Sequence, residues 1–356
     1  MASRLQCLRE GTAEKAVSIV KISAAICVAF LLALGSGTPW ARAAAQESPV
    51  LLARVLVGPS PASKENGGFR MAAVPISRDL SSGQPTPLPD DSLLGRRGFH
   101  VPDHPLVDRY ITYYTGKWKK GFQESLDRAW PYLPLMAEIL DVMGVPTELV
   151  YVVLVESHFK GKARSWVGAC GFWQLMPSTA RSLGLRVDAY VDERLDPLRS
   201  TQAAAVYLRR FYDKFGSWEL ALAAYNAGPG AVRRALRRHG TSDFWTLRKK
   251  RALPRQTRFY VPKIMAAIRI CRDLDRYGFQ KPRYMPVWAY TTVWVRRPLS
   301  LSRVARWSGI PLRDIKRLNP ALKRGRIPPK GYRLRLPPAV LEKFLSAYES
   351  YLRRQG

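Results

Sequence analysis

Glu156 closes an apolar run, Leu149-Val150-Tyr151-Val152-Val153-Leu154-Val155. A carboxyl placed last in a buried helix loses hydration, its charged form becomes less favourable, and its pKa rises. A carboxyl still protonated near neutral pH is what acid-catalysed cleavage of a glycosidic bond requires. Most glycosidases flank that bond with two carboxylates. The stretch 161–176, where a second would be expected, contains no Asp or Glu. One group must then act first as acid and afterwards as base.

Further blocks follow in order. Glu156-Ser157-His158-Phe159 is succeeded by Ala163-Arg164-Ser165, then Gly168-Ala169-Cys170-Gly171-Phe172-Trp173-Gln174-Leu175-Met176. Ala221-Leu222-Ala223-Ala224-Tyr225-Asn226-Ala227-Gly228 and Gln256-Thr257-Arg258-Phe259-Tyr260-Val261-Pro262 complete the set. This order resembles the soluble lytic transglycosylase family, over roughly residues 105–280. The preceding helices, with Tyr132-Leu133-Pro134, look like its membrane-bound type D branch. The resemblance implies a lysozyme-like fold and a peptidoglycan substrate, cut between N-acetylmuramic acid and N-acetylglucosamine. It implies that the muramic 6-hydroxyl, not water, attacks the anomeric carbon and leaves a 1,6-anhydro end, with no metal or organic cofactor. Two alternatives stay open: a muramidase that admits water, and a non-catalytic peptidoglycan-binding protein.

The resemblance assigns roles residue by residue. Glu156 is the catalytic acid and then base. Ser165 stands where a hydroxyl bonds the acid or the substrate acetamido group, with turn formation as its other reading. Gln174 and Met176 match groove-lining positions, the amide for an N-acetyl group and the thioether for a sugar face. Gly168 and Gly171 let backbone approach the saccharide. Tyr225 lines the cleft, Asn226 bonds substrate or backbone (or caps its helix), and Tyr260 lies close to the acid. Trp173 reads as core. Gln256 stands where the family usually has glutamate. His158 has no task in this mechanism and reads as a surface residue. Asp192, Arg194 and Asp196 read as a structural ion pair and a helix cap rather than a missing second carboxylate.

The elements that must position these groups are mostly helical. Apolar spacings of three and four predict helices over 105–116 and 121–143, and a helix ending at Glu156 after Gly144 and Pro146. Others are expected near 177–183, 197–215, 217–225, 229–238 and 255–276, that at 197 announced by Asp196 as N-cap and Pro197 at N1. After Gly278, Tyr290–Val295 and Tyr332–Pro337 have strand character around two short helical patterns. This β-α-α-β segment resembles a diverged LysM domain through Leu301-Ser302-Arg303-Val304-Ala305, Gly309-Ile310, Leu318-Asn319-Pro320 and Leu334-Arg335-Leu336-Pro337. That resemblance implies binding to N-acetylglucosamine-containing glycan. The customary Gly-Asp-Thr is replaced by Arg297-Pro298-Leu299-Ser300.

The expected architecture is mainly α: a lysozyme-like helical catalytic domain at 105–280, plus a small α+β LysM-like module at 288–338 and a C-terminal helix at 339–356. Ahead of these, Arg4, Arg9, Lys15 and Lys21 precede the apolar run 22–34 and the small residues Ala41-Arg42-Ala43-Ala44-Ala45. Residues 1–45 read as an export signal, cleaved or kept as an anchor. Residues 46–104, rich in turn formers, read as a disordered linker. An exported chain implies the periplasm or cell envelope, with membrane proximity left open. Cys170 and Cys271 remain after the signal, either paired or as small buried residues.

The chain has 58 Lys+Arg against 27 Asp+Glu, a formal charge of +31. That excess suits an anionic partner, or reflects Arg-rich composition. No nucleic-acid module signature is present. The family resemblance implies peptidoglycan glycan strands as the partner.

Overall fold

The computed structural model describes residues 98–281 and 290–355. The expected export signal and most of the expected linker lie outside them. The linker's last residues do not hang free: the Phe99 ring is 3% exposed, and its backbone N–H donates to buried Glu148 at 2.9 Å.

The larger part is a helical assembly. In chain order it comprises α1 (Pro105–Thr115), α2 (Lys119–Ala129), α3 (Leu133–Val142), a 3₁₀ turn (Thr147–Tyr151) and α4 (Val152–Ser157). Then come α5 (Pro177–Ser182), a 3₁₀ turn (Glu193–Leu195), α6 (Pro197–Phe215), α7 (Trp218–Ala227), α8 (Pro229–His239), α9 (Phe244–Lys249) and α10 (Arg255–Arg272).

The expected helix 121–143 is two helices. Pro131 brings no N–H to an intrahelical bond, and Pro134 suits only the first turn of a new helix, so the chain breaks at Trp130-Pro131-Tyr132. Helix α6 begins and ends where its caps direct. Asp196 accepts from the N–H groups of Leu198 and Arg199, and Gly216 closes the far end at φ +69°. Helix α9 has a signal the periodicity reading passed over: the Asp243 carboxylate accepts from Thr246 N–H at 2.6 Å.

Helix α7 lies against α6 and α10 at the centre. Its Leu220, Ala221, Leu222, Ala223 and Ala224 are all fully buried, as a helix apolar on every side must be. Helix α4 is equally enclosed, with Val152, Val153 and Leu154 at zero exposure. Glu156 therefore sits at the end of a short, buried helix.

The smaller part contains β1 (Thr291–Val295), α11 (Leu301–Ser308), α12 (Leu312–Leu318), β2 (Tyr332–Leu336) and α13 (Leu341–Arg353). The two strands pair antiparallel, Thr291 opposite Leu336 and Val295 opposite Tyr332. Two strands and two short helices bury little apolar surface. Phe344 and Tyr348 of α13 complete the core, and so does Val191 from the helical part. The module is thus docked: Asp192 N–H donates to Ala321 O and Lys323 N–H to Tyr190 O, each at 2.9 Å.

Among the described residues no helix is long and apolar enough to cross a membrane.

Candidate active site

Glu156 is the penultimate residue of α4, and the chain reverses sharply after it. His158 and Phe159 both take the left-handed conformation, at φ 52° and 54°. Left-handed backbone at two successive non-glycine residues is costly and persists only where surroundings impose it. The imposing contacts are visible. Phe159 is buried at 2% exposure, and the Ser157 hydroxyl donates to Phe172 O at 2.7 Å. Ser157 thereby ties the acid-bearing helix to the following loop. It stands in the motif beside Glu156, and no local pattern marks its contact 15 residues away.

That loop is a small hairpin-like structure. Cys170 forms bridges with both Arg164 and Leu175. Gly171 N–H donates to Ala163 O at 2.9 Å. Gln174, at φ 48°, donates its side-chain amide to Gly171 O at 2.8 Å and Ala163 O at 3.2 Å. Its nitrogen is occupied in closing the loop. Ser165 serves the turn as well: its hydroxyl accepts from Ala169 N–H at 3.0 Å. Gly171, at φ +82°, is crowded by Arg194, since a Cβ there would lie 1.9 Å from Arg194 O. The close approach that demands glycine is thus to protein backbone rather than to the outside of the loop. Gly168, at φ +94°, has nothing within 4 Å of such a Cβ. Met176 leaves the loop 39% exposed, while Trp173 is wholly buried and donates to Thr201 Oγ1 at 2.8 Å.

Arg194 holds the loop from below. It is 4% exposed, paired with Asp192 at 2.9 Å, and donates to Gly168 O at 2.8 Å and Leu175 O at 3.0 Å. Asp196 caps α6 and pairs with Arg335. These carboxylates are structural, as the sequence reading has them.

Two tyrosines complete the site. Tyr260 of α10, 5% exposed, donates its hydroxyl to Glu156 Oε1 at 2.5 Å. Tyr225 of α7 donates to Trp173 O at 2.7 Å. The Glu156 charge adds to burial in raising both phenols well above their ordinary value, so both remain protonated donors. Asn226, next to Tyr225, accepts from the Thr257 hydroxyl at 2.8 Å and so links α7 to α10 one turn before Tyr260. Thr257 escaped the sequence reading because its partner is 31 residues away.

Burial lifts the Glu156 carboxyl from an ordinary 4.5 to about 7, and the Tyr260 hydrogen bond holds it from rising further. A group poised there carries a proton near neutrality and can part with it. Among the described residues no other carboxylate is hydrogen-bonded to it. His158 is exposed. Cys170 and Cys271 are both free thiols. No group of three or more His, Cys, Asp or Glu suited to a metal ion occurs among the described residues.

The structure thus brings Glu156, Tyr260 and Tyr225 together around one helix end. It builds Ser165, Gly171 and Gln174 into the adjoining hairpin, with Met176 at its exit and Asn226 behind Tyr225.

One buried carboxyl with a raised pKa, hydrogen-bonded to a tyrosine and flanked by a braced loop, stands at a helix end in a mainly α domain. Comparison with known families makes the class specific. Residues 138–248 match the transglycosylase SLT domain, and residues 289–352 match the LysM-like domain of the lytic transglycosylase MltD. The chain therefore carries both an SLT domain and an MltD-type LysM-like domain. It is 36% identical over 201 residues to membrane-bound lytic murein transglycosylase D of Escherichia coli K12, covering 55% of this chain and 44% of that protein. It is 39% identical over 104 residues to the peptidoglycan transglycosylase gp16 of Escherichia phage T7, covering 28% of this chain and 8% of that one. A solved lytic transglycosylase Slt from Pseudomonas aeruginosa aligns at 27% identity and TM-score 0.35, over 44% of this chain and 25% of that chain. The chain spans less than half the length of each of these relatives.

Proposed function

We propose that the protein is a lytic transglycosylase of the cell envelope that cleaves the β-1,4 bond between N-acetylmuramic acid and N-acetylglucosamine in peptidoglycan. The observation that carries this is the single carboxyl of Glu156, held by Tyr260 and poised at about 7, with no second carboxylate among the described residues hydrogen-bonded to it. The names of the relatives supply the substrate class, and the SLT match supplies the reaction class.

The steps follow from one proton and one site. Glu156 gives its proton to the bridging oxygen as the C1–O bond breaks, releasing the N-acetylglucosamine hydroxyl. The substrate's 2-acetamido oxygen bonds to C1 and holds the charge as an oxazolinium. Glu156, now a carboxylate stabilised by the Tyr260 hydroxyl, takes the proton of the muramic 6-hydroxyl. O6 then bonds to C1, the acetamido oxygen departs, and Glu156 is protonated again. Attack from within the same sugar needs no bimolecular encounter, which favours it over water. Acting twice, one carboxyl suffices where a hydrolase would need two.

The experiment is digestion of purified wall with mass spectrometry of the products. Anhydro ends support the proposal, and reducing ends turn it into a hydrolytic muramidase. Glu156→Gln should lower cleavage by about 10²- to 10⁴-fold while wall binding persists. Binding without cleavage by the unaltered chain would leave only a wall-binding protein.

A further inference from the structure

We infer that Trp166, at the tip of the hairpin beside Glu156, is a saccharide-stacking residue. It offers its indole to a sugar of the same glycan strand next to the bond being cut. The inference rests on the proposed glycan-cleaving function and adds a binding residue to it.

Trp166 is 98% exposed. Single exposed apolar residues are ordinary on protein surfaces, but this one is not on a loose loop. Its turn is closed by Ser165 N–H to Ala169 O at 2.9 Å and by Gly168 N–H to Ser165 O at 3.1 Å. The Ser165 hydroxyl adds its bond from Ala169 N–H. Beneath it, buried Arg194 grips Gly168 O at 2.8 Å. A turn secured at four points holds its largest side chain in water, away from the core that would stabilise it.

The surroundings repeat the pattern. Six large apolar side chains are exposed among the described residues, and three of them, Trp166, Val167 and Met176, belong to this hairpin and its exit. The hairpin's base is bonded to the acid's own helix through Ser157 and Phe172. An apolar face fixed to the catalytic carboxyl's support is placed for substrate.

The chemistry selects a sugar. The C–H face of a pyranose is apolar and flat enough to lie on an indole, whose π face attracts the weakly positive hydrogens. Tryptophan provides that area with two side-chain torsions to freeze. Lys160, Lys162 and Arg164 are exposed on the same segment. Their charge complements the carboxylates that peptidoglycan carries on its muramic acid stems.

The test uses the full chain carrying Glu156→Gln, so that substrate survives, and measures affinity for soluble glycan strands stripped of stem peptides. Adding Trp166→Ala should weaken binding about tenfold, while Trp166→Phe retains most of it. In the active chain the alanine change should raise KM about tenfold and leave kcat within about twofold. So exposed a side chain is not needed for folding, and the variant's unfolding midpoint should be unchanged. Equal affinity with and without the indole overturns the inference but leaves the glycan reading standing. So does an unchanged glycan affinity with lost binding to vesicles containing phosphatidylglycerol, which would make Trp166 a membrane-interface residue. Failure of the parent chain itself to cleave or bind glycan removes the proposed function and this inference with it.

Discussion

Arg335 of the C-terminal module points its guanidinium into the helical part, with Nη1 2.6 Å from Oδ2 of Asp196. The side chains are 15% and 3% exposed. Asp196 raises the Arg335 pKa further above its already high ordinary value, so the arginine is charged at every working pH. Removing one member of a buried pair leaves an uncompensated charge, which costs about 3–5 kcal/mol. Here the lower end applies, because the Asp196 carboxylate also accepts from Leu198 and Arg199. Arg335→Met is therefore expected to destabilise the chain by about 3 kcal/mol in urea unfolding. A loss below about 0.5 kcal/mol would place the pair in the class of weak surface bridges.

The Glu156 carboxyl makes stability depend on pH in a direction opposite to most carboxylates. Its folded value is about 7 and its ordinary value 4.5. Below pH 4.5 it is protonated in both states and contributes no penalty. As pH rises toward 7, the unfolded chain has released the proton and the folded chain has not, so folding loses stability across that window. Above pH 7 the penalty is complete, on the order of 3 kcal/mol. Glu156→Gln should accordingly stabilise the protein at pH 8 by up to about 3 kcal/mol and hardly at all at pH 4. Urea titrations of both proteins at the two pH values measure it. A gain equal at both would deny the perturbed carboxyl.

Much of this site was legible in the chain, and the limit has a physical basis. The acid, the later tyrosine and the hairpin stand in a fixed motif order. The caps of α6, Asp196 and Gly216, marked its ends. What periodicity does not encode is contact between distant residues. Ser157 with Phe172, Arg194 with Gly168 and Asp196 with Arg335 join positions 15, 26 and 139 residues apart. In the family motif Gly171 reads as a close approach to the saccharide, and a glycine by itself reports only that something is close. The neighbour, Arg194 O, is a fact of packing. The break at Pro131 was readable, but the apolar spacing on either side continued across it.

Tyr260 hydrogen-bonds the acid and favours its ionised form. Tyr260→Phe removes that support, so the Glu156 pKa should climb above about 7 and the alkaline fall of activity should move to higher pH. The rate at neutral pH should drop about ten- to hundredfold, the value of a hydrogen bond to a charged group. The pH–rate profile separates this from a general loss of fold, which would lower the curve without displacing it.

The two glycines of the hairpin should respond differently to the same added methyl group. At Gly168 an alanine meets open space and bears only the left-handed backbone penalty, about 1–2 kcal/mol. At Gly171 the Cβ would lie 1.9 Å from Arg194 O and 2.8 Å from its carbonyl carbon, both backbone atoms without a rotamer in which to retreat. The hairpin or the segment carrying Arg194 must move. Either motion loosens the guanidinium's bonds to Gly168 O and Leu175 O, and with them the seat of Gln174. Gly171→Ala should therefore cost about 3 kcal/mol or more. It should also depress cleavage of wall by more than its unfolded fraction explains, whereas Gly168→Ala should keep activity in proportion to folded protein. Thermal unfolding alongside product assays reads both. Equal behaviour of the two variants would show that the Arg194 contact does not hold the loop.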